Sequence, residues 1–283
     1  MENSASQRVL EKIGMLPKGQ KLYRYNDGTE RVSSYFEINR EEHNNFVILK
    51  NPEFNNLITK RHTAQDVGDE ALMLSSYGQT IICKDRIQAL EFAEGQGVDI
   101  VILDDGLHDK RIHKDTSFLV IDGKYGFGNN LLFPAGPLRD RLDFAVDGAD
   151  HVIMIGKDER SALKMIKYAT KKEYPVIESY IDVLGSLDKT QVYVAFAGIG
   201  RPEKFFNMLT EMGFVLADKI GFADHHFYTK HDIETLEGAA NAQKAKLICT
   251  EKDFVKLPPD FAAKVECVKI SLKFETKEIQ EIL

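Results

Sequence analysis

The sequence predicts an α/β fold, a mainly parallel sheet flanked by helices, with a smaller C-terminal α/β domain. Three observations predict it. Short apolar, β-branched runs recur along the chain. Amphipathic segments of about ten residues lie between several of them, as in βαβ units. The chemically suggestive strings fall just after the apolar runs, and ligands of such sheets bind outside the carboxyl ends of the strands.

In chain order, strands are predicted at Phe46–Leu49, Thr80–Cys83, Asp99–Leu103, Phe118–Ile121, His151–Ile155, Val192–Phe196, Leu247–Cys249 and Val265–Ile270. Helices are predicted over Arg86–Glu94, Arg160–Tyr168, Pro202–Met212 and Asp232–Gln243. Pro202 suits a first helical position, where no backbone N–H is needed. A boundary is expected near residues 175–190, dividing the chain into domains 1–180 and 181–283. A length of 283 residues can give each its own core.

A net charge of -7 excludes general nucleic-acid binding, which needs a basic surface. No stretch approaches the roughly 18 apolar residues of a membrane-spanning helix, and residues 1–19 lack the apolar centre of a signal peptide. The expectation is a cytoplasmic protein that meets membranes only peripherally. Arg160, Lys164, Lys167 and Lys171 would line one helix face and could attract anionic lipid, or form an ordinary solvated face. Cys83, Cys249 and Cys267 have no metal-ligand spacing and read as reduced thiols, the first two in buried strands.

Five strings carry chemistry. VDIVILDDG (98–106) ends an apolar run in Asp104 and Asp105, either carboxylates at the ligand edge of the sheet or an acidic turn closed by Gly106. Carboxylates at such an edge can hold Mg²⁺ directly or through water. DVGDEALML (66–74) places Asp69 and Glu70 in a first helical turn, where acids also serve simply to complement the helix dipole. GFADHHFY (221–228) sets His225 and His226 beside Asp224; a histidine oriented by a carboxylate suits proton transfer near neutral pH, and the alternatives are a plain loop or a metal site, which would want a third ligand at recognisable spacing. The glycine- and proline-punctuated strings 125–140 and 196–206 can bring backbone amides close to a phosphate, with Arg139 and Arg201 as candidate phosphate clamps.

Together the strings VGDEALML (67–74), VILDDGL (101–107), FGNNLLFPAGPLRD (127–140), FAGIGRPEKFF (196–206), FADHHFY (222–228) and TEKDFVKL (250–257) resemble tetraacyldisaccharide 4'-kinase in content, order and spacing. The resemblance runs from about His62 to about Leu257. It implies a P-loop NTPase-like fold and transfer of the γ-phosphate of ATP to the 4'-hydroxyl of a tetraacylated disaccharide 1-phosphate. That reaction belongs to lipid A biosynthesis at the cytoplasmic face of the inner membrane. The resemblance further implies Asp69 and His225 as the catalytic pair, Glu70 near Mg²⁺, and Asp104 and Asp105 as the Walker B acids. These groups are expected around one cleft.

The chain departs from the family in residues 1–45. Where the family carries a GGTGKT phosphate loop, residues 26–38 read NDGTERVSSYFEI. Gly28 and Thr29 resemble remnants of the loop, Ser33 is a conceivable Mg²⁺ ligand, and Glu30 and Arg31 stand where a lysine would reach the phosphates. The family's apolar N-terminal helix has no counterpart. Leu107–His108–Asp109 replaces a glutamine–histidine sequence, and Asp140 stands where a glutamate is common. The alternative expectation is therefore a non-catalytic relative that binds the lipid but not ATP.

Overall fold

The computed structural model describes residues 61–274 and 56–59, with three earlier strands, β1 (Leu16–Arg24), β2 (Glu30–Glu37) and β3 (Phe46–Lys50). There follow β4 (Asn56–Leu57), α1 (Ala64–Val67), α2 (Asp69–Leu74), β5 (Gln79–Ile82), α3 (Arg86–Gly95), β6 (Ile100–Leu103) and β7 (Phe118–Asp122). Next are α4 (Leu142–Val146), β8 (His151–Ile155), α5 (Ala162–Thr170), β9 (Val176–Leu184), β10 (Val192–Ala197) and α6 (Pro202–Glu211). The chain continues through β11 (Val215–Gly221), α7 (Lys230–Gln243), β12 (Lys246–Thr250), α8 (Glu251–Phe254), α9 (Pro259–Ala262) and β13 (Val265–Phe274). The architecture is α/β with mainly parallel strands, as the sequence predicts, and each predicted strand and helix has its counterpart here.

Two compact units emerge, and each is discontinuous in sequence. One comprises Met1–Leu49, Asp85–Asp182 and Leu272–Leu283; the other comprises Lys50–Lys84 and Val183–Ser271. Two consecutive domains would leave residues 50–84 with the N-terminal half, whereas compactness groups them with 183–271.

In the first unit β3 pairs in parallel with β6, and β7, β8 and β9 form a parallel ladder. The small core of this unit gathers Ile121, Val146, Val152, Met154, Ala162 and Ile166. Helix α5 turns Ala162 and Ile166 inward, four residues apart on one face. Helix α3 begins at Asp85, whose carboxylate accepts a hydrogen bond from the Ile87 amide at 3.2 Å. Strands β1 and β2 form an antiparallel hairpin in which Lys21 lies opposite Ser33. Residues 30–37 thus spend their backbone groups on a strand ladder and not on a phosphate-cradling turn. Gly28 and Thr29 lie outside the described residues.

In the second unit the parallel order is β11-β10-β12-β13, and β4 pairs antiparallel with β5. The central strand β10 reads VYVAFA because both its faces are covered. Val194 and Phe196 pack on one side with Leu236 and Ala240 of α7 and Phe261 of α9. Tyr193, Ala195 and Ala197 pack on the other side with Phe205, Phe206 and Leu209 of α6. Truncating a fully buried side chain such as Leu209 to alanine costs about 2–5 kcal/mol. Residues 50–84 carry a lesser core of their own, made of Ile58, Val67, Ala71 and Ile82.

Candidate functional site

The second unit gathers its chemistry at the start of α2. Helix α1 opens with Thr63, whose backbone N–H and hydroxyl both bond the Asp66 carboxylate at 2.7 Å. Gly68 then takes φ +85, a conformation that favours glycine, and lets α2 follow at once. Asp69, the first residue of α2, accepts the Glu70 amide at 2.8 Å and is only 4% exposed. The Nδ1 atom of His225 lies 3.0 Å from each carboxylate oxygen of Asp69. A carboxylate accepts, so a neutral imidazole that donates its Nδ1–H here presents Nε2 as an acceptor. The His225 side chain is 57% exposed. Its backbone sits at φ +57, a left-handed conformation uncommon outside glycine, and such outliers cluster at functional sites.

The string at 250–257 supplies the opposing charge. Thr250 caps α8: its hydroxyl accepts from the Asp253 amide at 3.1 Å and donates to Asp253 Oδ2 at 2.7 Å. Asp253 is fully buried and fully satisfied. Its Oδ1 accepts from the Gly198 amide at 2.9 Å, the Tyr228 hydroxyl at 2.8 Å and the Lys256 ammonium at 2.9 Å. Burial, followed by the Asp253 charge, pushes the Tyr228 hydroxyl well above its usual range. A side chain at Gly198 would press on the Ala223 carbonyl and His226 Cβ at 3.1 Å. A side chain there would need its neighbours to give by a few tenths of an ångström, so glycine suits the end of β10 against the histidine loop. Lys252 is mostly buried, with Nζ 3.2 Å from Glu70, 3.5 Å from Asp224 and 4.0 Å from Asp69.

The two adjacent histidines do different work. His226 Nε2 lies 3.0 Å from Asp232, and its ring stacks on Phe222 at 4.8 Å. Asp232 also bonds the Thr229 hydroxyl at 2.6 Å and amide at 2.8 Å. Those Thr229 bonds, helped by His226, hold the Asp232 carboxyl down at about 2. His226 therefore braces the start of α7, and His225 alone reaches Asp69.

In the first unit Asp104 and Asp105 follow the carboxyl end of β6. Buried Arg86 donates from Nη2 to the carbonyls of both, at 2.7 Å and 3.1 Å, and so fixes the turn. Asp105 takes φ +52, and a Cβ at Gly106 would collide with the Leu103 side chain. Arg139 Nη1 donates to Asp105 Oδ2 at 2.8 Å, and His108 Nδ1 lies 3.1 Å from Asp140. Between them the loop at 131–138 closes through Phe133 N–H to the Leu138 carbonyl at 2.7 Å and Leu138 N–H to the Leu131 carbonyl at 3.1 Å. Leu131, Leu132 and Phe133 are exposed, Phe133 to 80%.

Of the residues predicted from sequence, Asp69, Glu70 and His225 meet in the second unit, where exposed Arg201 opens α6. Asp104, Asp105 and Arg139 meet in the first. Lys252, Asp253 and Lys256 lie in the 250–257 string, and their i, i+1 and i+4 spacing places them on one short turn without revealing what they face. Among the described residues no group of three or more His, Cys, Asp or Glu gathers to hold a metal ion. Mg²⁺ commonly takes only one or two protein carboxylates and completes its shell with phosphates and water. Glu70 and Asp104 offer hard oxygen ligands of that kind.

The sequence profile of a family described as tetraacyldisaccharide-1-P 4'-kinase matches residues 50–283. A tetraacyldisaccharide 4'-kinase of Gluconobacter oxydans is 39% identical over 216 residues, covering 75% of this chain and 64% of that protein. One of Paramagnetospirillum magneticum is 39% identical over 221 residues, covering 77% and 67%. The chain thus spans 64% and 67% of the length of these curated relatives. The crystal structure of LpxK from Aquifex aeolicus in complex with ATP aligns with a TM-score of 0.65 at 19% identity, covering 84% of this chain and 77% of that one. The shared fold is P-loop NTPase-like α/β.

Proposed function

The chain belongs to the tetraacyldisaccharide-1-P 4'-kinase family, and we propose that it transfers the γ-phosphate of ATP to the 4'-hydroxyl of tetraacyldisaccharide 1-phosphate in lipid A biosynthesis. The observation that carries this reading is the contact of His225 with Asp69 across 156 residues of sequence. His225 accepts the sugar hydroxyl's proton at Nε2, and Asp69 steadies the imidazolium that forms. The hydroxyl oxygen bonds to the γ-phosphorus as the bond to the β-phosphate oxygen breaks, and ADP leaves. Arg139 and Arg201 are the phosphate clamps, each able to bind phosphate in bidentate fashion. Asp104 in the first unit and Glu70 in the second are each a hard oxygen ligand of the kind Mg²⁺ takes, and the ion would offset charge on the phosphates.

The lipid substrate implies peripheral contact with the cytoplasmic face of the inner membrane. Support comes from exposed Leu131, Leu132 and Phe133, and from exposed Lys164 on α5. Among the described residues no helix is long and apolar enough to cross a membrane.

The test is direct. Folded protein supplied with Mg²⁺, labelled ATP and tetraacyldisaccharide 1-phosphate should yield the labelled 4'-phosphate product. No transfer under those conditions overturns the kinase reading.

A further inference from the structure

The Lys256 side chain is wholly enclosed, and an enclosed ammonium is costly unless every donor is used. Its Nζ bonds Asp253 Oδ1 at 2.9 Å and the Gly198 carbonyl at 3.2 Å. Beyond these bonds the Tyr228 ring centroid lies 5.6 Å away and Asp69 Oδ2 3.7 Å away, the latter too far for a hydrogen bond and near enough for strong attraction in a buried setting. Asp253 is itself anchored by Gly198, Tyr228 and Thr250, so the ammonium cannot drift. Lys252, by contrast, is 4.0 Å from Asp69 and is shared with Glu70 and Asp224.

From this juxtaposition we infer that Lys256 is a positioning residue for the reaction: its fixed ammonium holds the buried Asp69 carboxylate in place against His225, and so orients that imidazole with Nδ1 toward Asp69. It acts through Asp69 and touches no substrate. Asp253, Tyr228 and the Gly198 turn serve as its mounting. The inference rests on reading Asp69 and His225 as the proton-accepting pair.

The simplest variant, Lys256→Met, strands the Asp253 charge and can unfold the protein. The informative variant is the double change Lys256→Met with Asp253→Asn, which removes both charges together. Lys256→Gln is its companion, keeping donors for Asp253 and Gly198 without the positive charge. The expected result is a folded protein whose kcat falls about 10- to 100-fold, the scale of a misplaced reacting group, while KM for both substrates holds. The proton signal of the His225 Nδ1–H, followed by ¹⁵N-edited NMR, should weaken or vanish. Wild-type kcat and an intact signal in either folded variant overturn the inference, leaving Lys256 as no more than a partner of Asp253. If the unmodified chain transfers no phosphate, the kinase reading fails by itself. The NMR signal then decides the role of Lys256 alone: loss supports it and retention overturns it.

Discussion

Asp69 and His225 divide one task between a buried group and an exposed one. His225 is 57% exposed, so replacing it with a residue that accepts its left-handed backbone should cost the fold little, within about 0.5 kcal/mol. The same change should remove proton transfer. His225→Asn, which tolerates the left-handed backbone, is expected to lower kcat about 10²- to 10⁴-fold with little change in melting temperature, measured by phosphate transfer and calorimetry on one sample. At this scale the sequence was legible where a residue type announces its chemistry, as with acids after an apolar strand or a histidine beside an aspartate. Lys252 and Lys256 were not legible in that way. A lysine on a short turn normally faces water, and what makes these two unusual is contact with residues such as Glu70, 182 positions away. His226 shows the reverse case: its neighbour suggested chemistry, and the ring stack on Phe222 shows packing.

Among the elements, α7 carries the clearest pH dependence. Its cap joins Thr229 and Asp232 in both directions, and those bonds hold Asp232 at about 2. A carboxyl held below its unfolded value of about 3.9 adds stability that is complete above roughly pH 4 and is lost as pH falls toward 2. Asp232→Asn should therefore cost about 1 kcal/mol at neutral pH. Its deficit against the parent should shrink as urea unfolding is repeated at pH 5, 4 and 3; a constant deficit would argue against the linkage. The longer elements were legible from apolar runs and helical spacing. Five strands were not: β1, β2, β4, β9 and β11. β11 reads VLADKIG, is mostly exposed and pairs only with β10 among the described strands, so little of it needs to be apolar. β9 reads VIESYIDVL, with polar and charged residues at alternate positions, and it lies in the stretch where the sequence suggested a boundary. An amphipathic strand and a polar linker look alike when only apolar runs are counted.

For the whole molecule, net charge and surface chemistry pull in opposite directions. A charge of -7 repels an anionic bilayer, so attachment must rest on local features. Burying one phenylalanine is worth about 1.5–3 kcal/mol, or roughly tenfold or more in partitioning. Phe133→Ser is expected to weaken co-sedimentation with anionic vesicles about tenfold and to leave the melting temperature alone, since Phe133 is 80% exposed. Equal sedimentation of parent and variant would remove this loop from the membrane contact. Nothing in sequence periodicity foretold that residues 50–84 group with 183–271, because such grouping depends on contacts between segments far apart along the chain. During synthesis a ribosome extends the chain at about 5–20 residues per second. Asp69 therefore leaves the ribosome on the order of 10–30 seconds ahead of the histidine it will hold, 156 positions later. In that interval Ile58, Val67, Ala71 and Ile82 can gather on one another, sparing the nascent segment a wholly naked apolar surface. The pace of translation, and not only equilibrium stability, sets when the proton-handling pair first exists.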